Sequence, residues 1–168
     1  VVVIAVPNTH LAFQWRDDLE DWGYEEEVYM IFGSVNANWK SDMGRVLDDI
    51  RIEMQDIAVL LTTHDTFSDE HFRSEIQQLN CDRMLIADEV HGSGSEERKK
   101  GLLEDYNYRV GLSATPRRYF DEEGTDFLME YFNGVVYELS LGEAIPEHLT
   151  PYEYKPYFVE MTPEELHE

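Results

Sequence analysis

The chain opens on a continuous β-branched run, Val1 to Val6, closed by Pro7. Apolar residues at successive rather than alternate positions predict a strand covered on both faces, as in a parallel sheet. Asn8 or Thr9 can then cap a helix whose apolar stripe is Leu11, Trp15, Leu19 and Trp22 at helical spacing, with Gly23 closing it. Residues 28–34 predict a second strand, and 39–54 a helix with Met43, Val46, Leu47 and Ile50 inward. Residues 56–63 predict a third strand, after which Asp65 to Asp69 offer caps for a helix at about 71–79. Further strands are expected at 83–89, 109–115 and 134–139, with helices at 96–106 and 122–132. Short apolar strands alternating with amphipathic helices specify an α/β fold with a mainly parallel sheet and helices on both faces. Ligands in such sheets gather beyond the carboxyl ends of the strands. Asp88, Glu89, Ser113 and Thr115 all fall at such ends. From Pro146 the alternation lapses into a segment with four prolines, which reads as a connector.

At 168 residues and 42% hydrophobic, the chain is long enough to bury the core of one domain. No apolar run approaches the roughly eighteen residues needed to cross a bilayer. Cys81 is the only cysteine, which excludes an internal disulfide and a cysteine-built zinc site and fits a reducing, cytoplasmic setting. Charge adds more. There are 36 acidic residues against 13 basic, a formal net charge of −23, and the only lysines are Lys40, Lys99, Lys100 and Lys155. At about 1 M salt the screening length shrinks to roughly 3 Å, and self-repulsion that would loosen the compact state fades. The composition therefore reads as adaptation to a salty cytoplasm, as in a halophilic archaeon, or as an acidic protein of an ordinary cell.

The chemistry is concentrated in "ADEVH", Ala87 to His91. One carboxylate at a strand end can hold a magnesium ion whose other ligands are phosphates and water. A second beside it can orient and deprotonate an attacking water. Taken alone, the string also fits a solvated turn with a surface histidine. "GLSATPRR", Gly111 to Arg118, adds two hydroxyls, Ser113 and Thr115, at the end of a neighbouring apolar strand; as a bare string it also fits a strand-to-turn junction. Trp15 lies on the Leu11/Leu19 stripe and reads as core, while Gln14 could touch a ligand. The basic clusters, Arg98-Lys99-Lys100 and Arg117-Arg118, could meet phosphates or form a solvated face. His10, His64, His71, His148 and His167 are scattered without metal-ligand spacing.

In this order, "VVVIAVPNTHLAFQW", "LLTTHDTF", "ADEVH" and "GLSATP" resemble motifs Ia, Ib, II and III of superfamily 2 helicases and translocases, the DEAD/DEAH-box group. The branch most similar is that of repair helicases and type III restriction translocases. Pro7, Leu11, Gln14 and Trp15 match its motif Ia, with Asn8 where threonine is usual. The resemblance implies a three-layer RecA-like fold of the P-loop NTPase type. Residues 1–145 would be the first, ATP-binding lobe, starting after the Walker A loop, and 146–168 a connector towards a second RecA-like lobe. It further implies that Asp88 holds the metal, Mg2+, Glu89 activates the hydrolytic water, and His91 couples nucleotide state to motion. Ser113, Ala114 and Thr115 would link hydrolysis to lobe closure, and Asn8, Thr9 and Thr63 would lie where backbone amides meet nucleic-acid phosphates. The expected cofactors and partners are ATP, Mg2+, a nucleic acid (DNA rather than RNA) and the second lobe. The fragment alone is expected to be inactive. Two other readings remain open: a scaffold lobe retained without catalysis, and a magnesium-dependent nuclease using Asp88 and Glu89.

Overall fold

The computed structural model of the chain describes residues 1–117, 121–147, 150, 153 and 155–157. Arg118, His148, His167 and most of the expected connector lie outside them. The chain divides into two compact units, Val1–Gly134 and Val135–Glu168.

The first unit is built on a five-stranded, all-parallel sheet. Its strands are β1 (Val2–Val6), β2 (Val28–Met30), β3 (Val59–Thr63), β4 (Met84–Ala87) and β5 (Tyr108–Gly111), in the order β2-β3-β1-β4-β5. β1 is central because its apolar run leaves neither face for water. Val3 and Ala5 join one buried cluster with Leu60, Leu85, Ala87, Met43 and Phe72, while Ile4 and Val6 join another with Leu61, Ala12 and Leu19. The period of two thus splits one hydrophobic run between two cores.

Helix α1 (Thr9–Asp21) covers the second cluster. The Asn8 side chain accepts the Leu11 N–H at 3.0 Å, and Asn8 is extended, as an N-cap should be. At the other end Gly23, at φ 90°, donates to the Glu20 carbonyl and Tyr24 to that of Leu19, the Schellman arrangement. Trp22, expected on the buried stripe, is instead 66% exposed, because the helix has already ended there. α2 (Trp39–Arg51) buries Met43, Val46 and Leu47 in the first cluster, with Ile50 packed against it. It stops three residues short of the expected end. After a short helix α3 (His64–Phe67), α4 (Glu70–Gln77) is capped by Asp69, whose carboxylate accepts the His71 N–H at 2.8 Å. α5 (Glu122–Tyr131) begins at Asp121 and ends on Asn133, at φ 60°.

Two expected elements do not form as read. Residues 96–106 hold only a 3-10 turn, Arg98–Gly101, in which Gly101 packs so closely on the Phe67 ring that a Cβ there would overlap it. Residues 134–139 form no strand; Gly134 is at φ 82°, outside strand backbone, and Val136 and Tyr137 are 92% and 77% exposed. Their β-branched and aromatic composition favours a strand only where a neighbour offers backbone partners. The strand bounds also contract, so that β5 ends at Gly111 and leaves Ser113-Ala114-Thr115 in the loop beyond it.

In the second unit α6 (Leu141–Glu147) opens with a capping box. The Glu143 N–H donates to Ser140 Oγ at 3.4 Å, and the Glu143 carboxylate accepts the Ser140 N–H at 3.1 Å and the Ser140 hydroxyl at 2.6 Å. These bonds hold the exposed Glu143 carboxyl below its usual range. Among the described residues no helix is long and apolar enough to cross a membrane.

Candidate active site at the carboxyl edge of the sheet

All five strands run the same way, so their carboxyl ends form one edge. Along it the sheet order places the loop after β1 between the ends of β3 and β4. The ladder of β4 gives out at Asp88, whose N–H donates to the Ala5 carbonyl at 2.8 Å. Two residues later the Val90 N–H reaches across to the Leu112 carbonyl at 2.9 Å, which ties the departing chain to β5.

Between these ties stands Glu89, at φ 47° and ψ 47°. A left-handed residue with a Cβ costs about 1–2 kcal/mol. It also breaks the side-to-side alternation of a strand, which frees the second carboxylate from the face opposite Asp88. Glu89 Oε2 lies 3.3 Å from His91 Nδ1, and that nitrogen lies 3.1 Å from Ser113 Oγ. Ser113 Oγ accepts the Thr115 N–H at 3.1 Å, so its own hydrogen is free to donate to a neutral His91. On protonation Nδ1 becomes a donor, and Glu89 or Ser113 accepts. Both Glu89 and His91 are about 40% exposed, so their attraction is screened and adds little to stability.

Asp88 is held on every side. Oδ1 accepts the Glu89 N–H at 2.9 Å, and Oδ2 accepts the Trp15 indole N–H at 2.9 Å. Its backbone carbonyl lies 2.9 Å from His64 Nε2, which must therefore be the protonated nitrogen. His64 is wholly buried; burial pushes its imidazole below the usual range, and it is neutral at neutral pH.

The structure thus brings together Asp88, Glu89, His91, Ser113 and, through its backbone, Thr115. Ala114 is exposed in the same loop. Asn8, Thr9 and Thr63 sit on the same edge but make no hydrogen bond to that group. Asn8 is engaged in capping α1, Thr9 Oγ1 lies 3.3 Å from Ser34 Oγ, and Thr63 caps α3 through Thr66. Two partners of Asp88 were not legible as such: Trp15, which reads as core, and His64, which reads as one of several scattered histidines. The first reading holds in part, since Trp15 does pack against the second cluster with Leu11.

The donor set suits a magnesium ion. Among the described residues no group of three or more His, Cys, Asp or Glu side chains is disposed to enclose a metal. The site offers hard carboxylate oxygen, with Asp88 well ordered by its donors, and this fits an ion that takes most of its ligands from phosphate and water.

Over residues 1–118 the sequence matches the family described as type III restriction enzyme, res subunit. The chain belongs to that family. The matched span holds β1 to β5 and every residue of the edge just described. Membership in the res-subunit family makes this α/β unit a superfamily 2 helicase-like, RecA-like lobe, and the family is one of helicase-like ATPases. No curated protein matches this res-subunit chain.

Proposed function

We propose that the chain is part of an ATP-driven translocase or helicase acting on nucleic acid, with DNA as its track. The observation that carries this reading is the contact of Glu89 with His91 and of His91 with Ser113, which joins the two loops beyond β4 and β5 through one imidazole. Asp88 would hold the magnesium ion, which neutralises phosphate charge when bound. Glu89, at the open side of the cluster, takes the proton of the attacking water. His91 shares Nδ1 between Glu89 and Ser113, so a change in the charge of Glu89 alters the bond to the loop that carries Ser113 to Thr115. Asn8, Thr9 and Thr63 lie beside it on the same edge, where backbone amides at helix starts meet a phosphate chain without reading its sequence. Residues 1–145 act as the ATP-binding lobe and 146–168 as the link to a second one.

In the full-length protein Glu89→Gln is expected to abolish nucleic-acid-stimulated ATP hydrolysis, by about a hundredfold or more, while nucleotide binding measured by titration is unchanged. Wild-type turnover in that variant would remove Glu89 from its role. Comparing stimulation by duplex DNA, single-stranded DNA and RNA identifies the track.

A further inference from the structure

We infer that Trp15 and His64 are positioning residues that set the orientation of the Asp88 carboxylate for its metal ion. The inference rests on the reading that Asp88 holds magnesium. Asp88 makes four hydrogen bonds. Two are main-chain features of the strand end: the Asp88 N–H to Ala5, which continues the ladder with β1, and the Glu89 N–H to the Asp88 carboxylate. The other two come from side chains remote in sequence, Trp15 on α1 and His64 at the start of α3. Trp15 is the one remote group that touches the carboxylate itself, and it claims Oδ2, leaving the second lone pairs of both oxygens for other partners.

Packing alone does not account for either residue. The Trp15 ring is only partly buried and borders an open hollow with Gln14 and Asp18, so it is not a fully enclosed core residue, and its N–H is spent on the Asp88 carboxylate. His64 is the stronger case. It is fully buried, and among the described residues its Nδ1 has no hydrogen-bond partner. An orphaned buried acceptor costs about 1–3 kcal/mol, and a leucine there would not carry that cost. What the imidazole supplies in exchange is the Nε2–H to the Asp88 carbonyl, which fixes the backbone from which the carboxylate projects. Such outer partners of a metal-binding side chain change affinity by about 10–100-fold when removed.

The test uses the full-length protein and the binding of Mn2+, read by electron paramagnetic resonance, in the presence of a non-hydrolysable ATP analogue. Trp15→Phe keeps the ring and removes the N–H; Mn2+ affinity is expected to fall about tenfold, with the circular-dichroism spectrum unchanged. If that variant does not fold, Trp15→Met, which fills the space without an N–H, takes its place. At position 64 a conservative pair separates bonding from packing: His64→Gln, whose amide can reach the Asp88 carbonyl, is expected to retain Mn2+ affinity, and His64→Leu to lose it by about tenfold. Wild-type affinity in Trp15→Phe and His64→Leu overturns the inference and leaves the role of Asp88 intact. Nucleotide-dependent Mn2+ binding that survives Asp88→Asn overturns the role of Asp88, and the inference with it.

Discussion

Glu89 occupies a backbone conformation that glycine would adopt without strain. Its contact with His91 is too exposed to offset that strain. Glu89→Gly is therefore expected to raise stability by about 1 kcal/mol, seen as a shift in the urea midpoint, while eliminating ATP hydrolysis by the full-length protein. A variant that unfolds more easily would show that the Glu89 carboxylate is itself structural. The acidic pair stands out in the sequence because carboxylates at the end of an apolar strand are costly unless something uses them, whereas His91 and Ser113 stand out only through the order of the motifs and their resemblance to helicase motifs II and III. The left-handed turn was not legible, since glutamate carries no sign of it. Nor were Trp15 and His64, whose partner lies 73 and 24 positions away and whose neighbours in sequence suggest other roles.

At the scale of elements, the readings that held are those in which pattern and ending agree. Asn8 and Gly23 bound α1, and Asp121 and Asn133 bound α5, each with a hydrogen-bonded cap. The readings that failed relied on local composition without its surroundings. Residues 134–139 have strand composition but no ladder partner among the described residues. Residues 96–106 have helical composition, yet the chain must pass close beneath Phe67, which stacks on Tyr106 and meets Phe72 edge-on. Gly101 is what permits that passage: a Cβ there would overlap the Phe67 ring. Gly101→Ala is accordingly expected to destabilise the fold by about 1–3 kcal/mol, because Phe67 is enclosed and cannot swing away. Chemical denaturation would measure it. A neutral result would mean that the turn from Arg98 to Gly101 can lift off the core.

Over the whole molecule the dominant fact is charge, and its arrangement decides what it does. Among the described residues, the cations of one basic cluster and of α2 are already engaged: Arg98 with Asp65, Lys99 with Glu96, Lys100 with Glu97, Arg51 with Asp48 and Glu75. Elsewhere carboxylates stand together, as in Glu25, Glu26 and Glu27, with no base beside them in sequence. Repulsion among them is a cost only while it is unscreened, from a range of about 10 Å at 0.1 M salt to about 3 Å at 1 M. Replacing Glu25, Glu26 and Glu27 by glutamine should thus raise the melting temperature in about 0.1 M KCl and leave it unchanged in about 1 M. Chloride is the right salt for this, since sulfate strengthens any fold by exclusion. The same arrangement bears on the track. A basic groove that neutralises about six phosphates gives a slope of about −5 in log affinity against log salt. With those cations paired internally, the lobe is expected to grip chiefly through amides and hydroxyls, and the slope measured on the full-length protein should be smaller in magnitude than about 2. A steep slope with the fold intact at both ends of the titration would mean that nucleic acid displaces the internal ion pairs, and that the acidic surface competes with the track instead of standing apart from it.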